Sequence, residues 1–351
     1  MNVQRTYDET SDQVSRGAAP VAELPDRIHA IHHDRYGPPR EVLRLGDVDR
    51  PSPGDGQVLL QVAAASLNPL DWHFTTGTPY LLRLVAGLRR PKQVVRGADV
   101  AGTVVEVGPG IDSVQPGDRV VGVALGSFAE LAVARADALA RLPESVSFLD
   151  AAAMPVAGVT ALQALRDHAR VSPGQRVLVN GAAGGVGTFA VQLAVVMGAE
   201  VTAVCSTRNV DMVAELGAHQ VVDYTAADWV DGTEYDVIID NVGNRTLGDC
   251  VRSLVDGGRY VMVSGPKDDP WLDPFRRLIA GKIRFLRSGR SFHQFTASES
   301  TPHLAVMVEH LAAGRVRSMI ERSVPLADVP EALTYLGTGH ARAKIVVEVA
   351  P

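Results

Sequence analysis

Residues Arg176–Asn209, RVLVNGAAGGVGTFAVQLAVVMGAEVTAVCSTRN, constrain this chain more than any other stretch, because they specify a strand, a glycine turn, a helix and a second strand in immediate succession. Val177, Leu178 and Val179 form an apolar run without alternation, as a parallel strand covered on both faces requires. Gly181, Gly184, Gly185 and Gly187 follow, and then Phe189, Val191, Leu193, Ala194 and Met197 recur at helical spacing up to Gly198, a helix stop. Set against the G-x-G-x-x-G fingerprint, Ala182 takes the first place, Gly184 the second and Gly187 the third. A side chain at Gly184 would hold a pyrophosphate away from the backbone amides, and one at Gly187 would push the helix off the strand. A glycine turn alone also serves simply to reverse a chain. The strand before it, the helix after it and the returning strand Glu200–Cys205 make this one a dinucleotide-binding unit, with phosphates at the helix N-terminus. On that reading Ala182, Ala183, Gly184, Gly185, Val186 and Gly187 contact the cofactor.

The end of the second strand indicates which dinucleotide. An NAD site places Asp or Glu about 20 residues past the glycines, on the ribose 2′-hydroxyl. This chain has Ser206, Thr207 and Arg208 there. A carboxylate would repel a 2′-phosphate, whereas two hydroxyls and a guanidinium hydrogen-bond it with charge assistance, so NADPH is the expected cofactor. The competing reading of Arg208 is a solvated helix start.

The 351 residues suffice for two domains sharing an interface, and 46% hydrophobic with 21% charged residues fits a soluble globular chain. A net charge of −6 and the lack of a basic block interleaved with aromatics argue against a nucleic-acid partner. Cys205 and Cys250 are the only cysteines, too few for a disulfide framework or a cysteine zinc site. No apolar run reaches the roughly 18 residues of a membrane span, and Met1 to Arg27 lacks the apolar segment of a signal peptide. A cytoplasmic protein with no membrane partner is expected.

Residues 1–26 are polar and mixed in charge and read as a flexible extension. IHAIHHDRYG and EVLRLGDV are strand-like, and VLLQVAAASLN is a stronger strand after the turn cluster PSPGDG. His29, His32 and His33 lack partners at metal-ligand spacing and read as surface histidines. Pro69 forces Asn68 toward an extended conformation, leaving an uncharged amide near a strand end. After the basic stretch Arg83 to Arg96, the glycine and valine spacing of VVRGADVAGTVVEVGPGIDSVQPGDRVVG signals short antiparallel strands closing into a small barrel. Helical spacing begins near Ser147. Beyond the glycine unit come a short helix in VDMVAELGA, strands in QVVDY and YDVIIDNVG, a helix over LGDCVRSLVDGG and a strand in RYVMVSG. That alternation specifies a doubly wound parallel sheet. HLAVMVEHLAAG and LADVPEALTYLGTG read as amphipathic helices, and KIVVEVA as a last strand returning to the first domain.

These runs, with GHARAKIVVEV at the close, resemble the medium-chain dehydrogenase/reductase superfamily over residues 28 to 351, and within it the zinc-free quinone oxidoreductase, or zeta-crystallin-like, branch. The resemblance implies an α/β fold: a GroES-like barrel domain (27–149, completed by 294–351), a Rossmann domain with a doubly wound parallel sheet (150–293), and the cofactor in the cleft between them. Zinc-dependent members carry a Cys ligand where SLNPLD stands, a Gly-His-Glu where Gly97-Ala98-Asp99 stands, and a four-Cys lobe missing here, so no metal is expected. The resemblance puts Asn68 beside the nicotinamide and the substrate carbonyl, Thr160 near the nicotinamide, Asn241, Val242 and Gly243 at the cofactor ribose, and Tyr224 and Lys344 near the adenosine phosphate and the cofactor edge. Tyr36 and Tyr80 are candidates on the substrate side. Each has a plainer alternative: Asn68 as a turn cap, Thr160 as an ordinary helix residue, Tyr36 and Tyr80 as packing residues, Lys344 as a surface lysine lying along its strand.

Without a Lewis acid, the tractable hydride acceptors are those that delocalise the resulting charge, namely quinones and α,β-unsaturated carbonyls. Zinc-independent alcohol oxidation and a non-catalytic NADPH-binding role are the alternatives. A homodimer is expected from edge-strand pairing of the Rossmann sheet, with the run RYVMVSG to IRFLRSG compatible with it. Trp271, Phe275 and Phe285 are expected in a segment beside the pocket.

Overall fold

The chain is seen in a computed structural model that describes residues 24–264 and 273–349, with backbone only for 273–278. Residues 1–23 of the expected extension, Trp271 and the side chain of Phe275 lie outside the described residues.

The apolar run Arg176–Asn180 is the centre of a six-stranded parallel sheet. Glu200–Cys205 and then Gln220–Asp223 lie on one side of it, and Tyr235–Asp240, Leu254–Met262 and Ser291–Gln294 on the other. Chain direction therefore diverges at Arg176–Asn180, and the crevice at the carboxyl ends of its neighbours is where such sheets bind ligands. The register sets Asn180 opposite both Val204 and Asp240, so these strands end at one level.

The second sheet has seven strands, ordered Ile320–Pro325, Lys344–Glu348, Gln57–Ser66, Asp99–Val107, Arg119–Val123 and Leu139–Arg141, with Leu131–Arg135 also paired to Gln57–Ser66. All of its pairings are antiparallel except Ile320–Pro325 with Lys344–Glu348. The last strand of the chain thus completes the sheet begun by the first domain. Because Gln57–Ser66 is antiparallel to both Lys344–Glu348 and Asp99–Val107, its end at Ser66 faces the start of each. Ser66 pairs with Asp99 on one side and Val346 on the other.

One apolar cluster joins the two lobes. It runs from Val177, Val179 and Ile239 through Ala157 and Ala161 to Ala64, Ala101 and Val346. Apolar burial stabilises at roughly 25 cal/mol per Å², so a shared core resists separation of the lobes.

Five expectations are corrected. Glu41 and Val42 belong to a helical turn, Pro39–Val42, started by a proline, and the strand begins only at Arg44. The helix expected over LGDCVRSLVDGG stops at Arg252, and Leu254 already begins a strand, with a register shift opposite Tyr235 and Val237 where Asp256-Gly257-Gly258 bulges out. His33 is buried: its Nδ1 lies 3.0 Å from the Arg35 carbonyl, and burial, helped by the Arg96 charge, lowers its pKa to about 4. Phe285 packs in the core against Tyr260 and Phe292 instead of facing a pocket. The IRFL part of the run expected at the sheet edge lies in the helix Asp273–Leu286, and the edge strand is Ser291–Gln294.

Candidate active site

Asn68 leaves the strand Gln57–Ser66 with extended backbone, φ −125° and ψ 153°, and Pro69 starts the helix Pro69–Thr76 behind it. The Asp71 carboxylate turns back to accept the Asn68 backbone N–H at 2.8 Å. The Asn68 side chain is directed elsewhere. Its Oδ1 accepts from Lys344 Nζ at 2.7 Å and its Nδ2 donates to Asp99 Oδ2 at 2.9 Å. An ammonium only donates and a carboxylate only accepts, so the two charged neighbours determine which way the amide faces. One Nδ2 hydrogen is left over.

Asp99 is fully shielded from solvent, and Asn68 and Lys344 are each 3% exposed. Buried charges require pairing and complete hydrogen bonding. Asp99 Oδ2 accepts from Ser66 Oγ (2.6 Å), Asn68 and Lys344 (3.0 Å), while Oδ1 accepts the backbone N–H of Val156 at 2.9 Å. The three Lys344 donors go to Asp99, Asn68 and the Leu67 carbonyl (3.0 Å). Lys344 is therefore no surface lysine, and its proton-donating capacity is saturated by protein acceptors. Asp71, beside this cluster, has its pKa pushed up to about 7 by burial, with the Asp99 charge adding to the effect.

The glycine turn faces this cluster. A Cβ on Gly185 would come 3.0 Å from Lys344 Cδ, and the Ala343 N–H donates to the Ala183 carbonyl at 2.7 Å. Gly187 sits so close that a Cβ would meet the Gly181 carbonyl oxygen at 2.1 Å, whereas a Cβ on Gly184 would find only that oxygen, at 3.6 Å. Gly187 is required for helix–strand contact, and Gly184 borders open space at the helix N-terminus, a cradle suited to a pyrophosphate. Ala182 and Ala183 are buried in the turn, and Val186 lies in the first turn of the helix Gly185–Val196.

Asp240 fixes the opposing loop. Its Oδ1 accepts from Asn180 Nδ2 and from the backbone N–H groups of Val242 and Gly243, and its Oδ2 from the Tyr260 hydroxyl. Val242 consequently lies against the turn, where a Cβ on Gly181 would meet its Cγ2 at 2.7 Å. Asn241 Nδ2 donates to the Asn180 carbonyl, and its buried Oδ1 has no partner among the described residues.

Just past the strand Glu200–Cys205, Arg208 donates to the His340 carbonyl and Ser206 Oγ accepts from Asn209. The Thr207 hydroxyl is already engaged, donating to Asp223 Oδ2 at 2.6 Å. Tyr224 is exposed and follows Asp223 directly. The segment His340–Lys344 thus bridges Arg208, the glycine turn and the Asn68 cluster. Thr160 donates to the Val156 carbonyl of its own helix at 2.6 Å, and Asp99 holds the start of that helix. Tyr36 and Tyr80 share one cation: the Arg83 guanidinium lies 4.7 Å from one ring centroid and 4.8 Å from the other, and the Tyr36 hydroxyl donates to the Gly87 carbonyl at 2.6 Å.

The sequence reading gave no role to Asp99, Ser66 or Asp240. Acid residues at the starts and ends of otherwise apolar strands were the available signal. The positions left for a catalytic zinc do not fit one. Among the described residues no three His, Cys, Asp or Glu side chains could hold a metal ion, and the Asp99 carboxylate already holds an ammonium.

The chain matches the zinc-binding dehydrogenase family over residues 216–347 and the alcohol dehydrogenase GroES-like domain over residues 54–144. It is 32% identical over 337 residues to the chloroplast envelope quinone oxidoreductase homolog of Arabidopsis thaliana, spanning 92% of this chain and 98% of that one. It is 31% identical to the 2-methylene-furan-3-one reductase of Solanum lycopersicum, over 99% of this chain and 84% of the other. The quinone oxidoreductase structure from Coxiella burnetii superposes with a TM-score of 0.82 at 32% identity, covering 92% of this chain and 100% of that one. Two lobes with a glycine turn between strand and helix, in a chain similar to such oxidoreductases over most of its length, define a nicotinamide-dependent oxidoreductase. The chain belongs to the medium-chain dehydrogenase/reductase superfamily.

Proposed function

We propose that this protein uses NADPH to reduce a quinone or an α,β-unsaturated carbonyl without a metal ion. The observation that carries this reading is the buried Lys344–Asn68–Asp99 cluster, which sets a cation and an oriented amide against the glycine turn, with a donor set unsuited to zinc. The quinone and enone names of the relatives agree with it.

A nicotinamide cofactor, when bound, supplies the hydride. The chain's own residues bind, orient and stabilise charge. Asn68 offers its remaining N–H to the oxygen that becomes negative as the acceptor is reduced, and Lys344 keeps a positive charge behind that amide. Lys344 has no spare donor, so the proton that completes the product comes from solvent or a hydroxyl at the cleft. Ser206 and Arg208 support the 2′-phosphate reading, while Asp223, which holds Thr207, reduces the set to one hydroxyl and one guanidinium. Self-pairing of the edge strand Ser291–Gln294 would give a homodimer.

The test is NADPH oxidation by chelator-treated protein against 1,4-benzoquinones, 2-alkenals and simple ketones side by side. Turnover of the first two alone supports the proposal. Oxidation of plain alcohols by metal-stripped protein would favour the dehydrogenase alternative, and cofactor binding without turnover the non-catalytic one.

A further inference from the structure

Of the fifteen large apolar side chains exposed among the described residues, six fall between Tyr80 and Val94. Leu84, Val85 and Leu88 are 67%, 67% and 68% exposed, although each would gain from burial. The same stretch is cationic. From Trp72 to Ala98 there is no Asp or Glu, while Arg83, Arg89, Arg90, Lys92 and Arg96 supply five positive charges in a chain whose net charge is −6. Arg96 is buried and Arg83 is turned inward to the Gly77 carbonyl, so the outward charges are Arg89, Arg90 and Lys92.

The lobe is a built feature. The Lys92 N–H closes on the Ala86 carbonyl at 2.8 Å, making a projecting loop with Leu88, Arg89 and Arg90 at its tip. The Tyr36 hydroxyl anchors its base at Gly87, where a Cβ would strike the Arg90 carbonyl oxygen at 2.0 Å.

We infer that this lobe docks on an anionic lipid surface. Leucines and a valine projecting among unopposed cations match an interface that is apolar below and negative at headgroup level. A second copy of the same patch would bring cations against cations, which disfavours symmetric self-association through it. The inference amends the sequence expectation of no membrane partner: no described helix is long and apolar enough to cross a membrane, but surface docking needs none. It stands independently of the quinone reading, because it is tested without turnover.

The experiment is co-sedimentation of the full chain with vesicles of phosphatidylcholine alone and of phosphatidylcholine mixed with phosphatidylglycerol, repeated for a Leu84→Asp/Leu88→Asp double variant and an Arg89→Glu/Arg90→Glu double variant. Each cation at the surface is worth about fivefold in partition, so the charge-reversal variant should lose at least about tenfold on mixed vesicles. The apolar-to-acid variant should lose a similar factor, wild-type binding should weaken with salt, and circular dichroism should show both variants folded. Equal wild-type partition into neutral and mixed vesicles, or folded variants that sediment like the wild type, would overturn the inference. So would a lower oligomeric state of the Leu84→Asp/Leu88→Asp variant by light scattering with no vesicle binding by the wild type, which would assign the patch to self-association.

Discussion

Lys344 and Asp99 are 245 residues apart in sequence and 3.0 Å apart in the fold, one at the start of the last strand and the other at the start of a strand in the first domain. The strand Gln57–Ser66 between them brings both starts to its own end, where Asn68 follows. Three segments are thereby locked into one buried polar network.

Removing the cation should be costly. Lys344→Met leaves the Asp99 carboxylate buried and uncompensated, and loss of one partner of a buried pair costs about 3–5 kcal/mol. Urea unfolding should show that loss. The Lys344→Met/Asp99→Asn double variant should recover part of it, because the stranded charge is then gone.

Asp99 should matter for rate through Asn68. Asp99→Asn removes one of the two charges that fix the Asn68 amide, so its free N–H is held less firmly toward the developing oxyanion, and full loss of one such donor costs about 10²–10³ in kcat. The KM for NADPH should stay nearly constant, since the glycine turn is untouched. A proportional loss of cofactor affinity would point to general disorder instead.

Stability should depend on pH through Asp71. Its native pKa, about 7, is above the 3.8 of an unperturbed carboxyl, so its contribution is complete below about pH 4 and is lost as pH rises to 7. Over that window the unfolded chain gives up a proton that the native chain retains, at a cost of a few kcal/mol. Asp71→Asn should flatten this decline when urea midpoints are compared across pH.

Arg208→Ala should raise the KM for NADPH about tenfold, the equivalent of one charge-assisted hydrogen bond, and leave that for NADH unchanged. Equal effects on both cofactors would remove the 2′-phosphate assignment.

The glycine turn and the parallel sheet were legible because their determinants are local: an apolar run, glycines at fixed spacing, a helical stripe. Asn68 and Lys344 were named from the resemblance, but their partnership with Asp99 was not, since it depends on strand register across 245 residues. His33 and Phe285 were misplaced for a related reason. Exposure is set by what packs over a residue, and neither Arg96 beside His33 nor Tyr260 beside Phe285 is near in sequence. The short helix Leu247–Arg252 was overextended because Leu254 and Val255 continue its apolar spacing, while the bulge at Gly257 that frees the strand is a tertiary matter.

The central claim is hydride transfer to a conjugated acceptor by a site whose cation is Lys344 instead of a metal. Its most direct measurement is the kcat of chelator-treated protein and of a Lys344→Met variant with NADPH and a 1,4-benzoquinone. The account predicts full activity after chelation and a loss of at least about tenfold in the folded variant; activity that vanishes on chelation and returns with added zinc would contradict it.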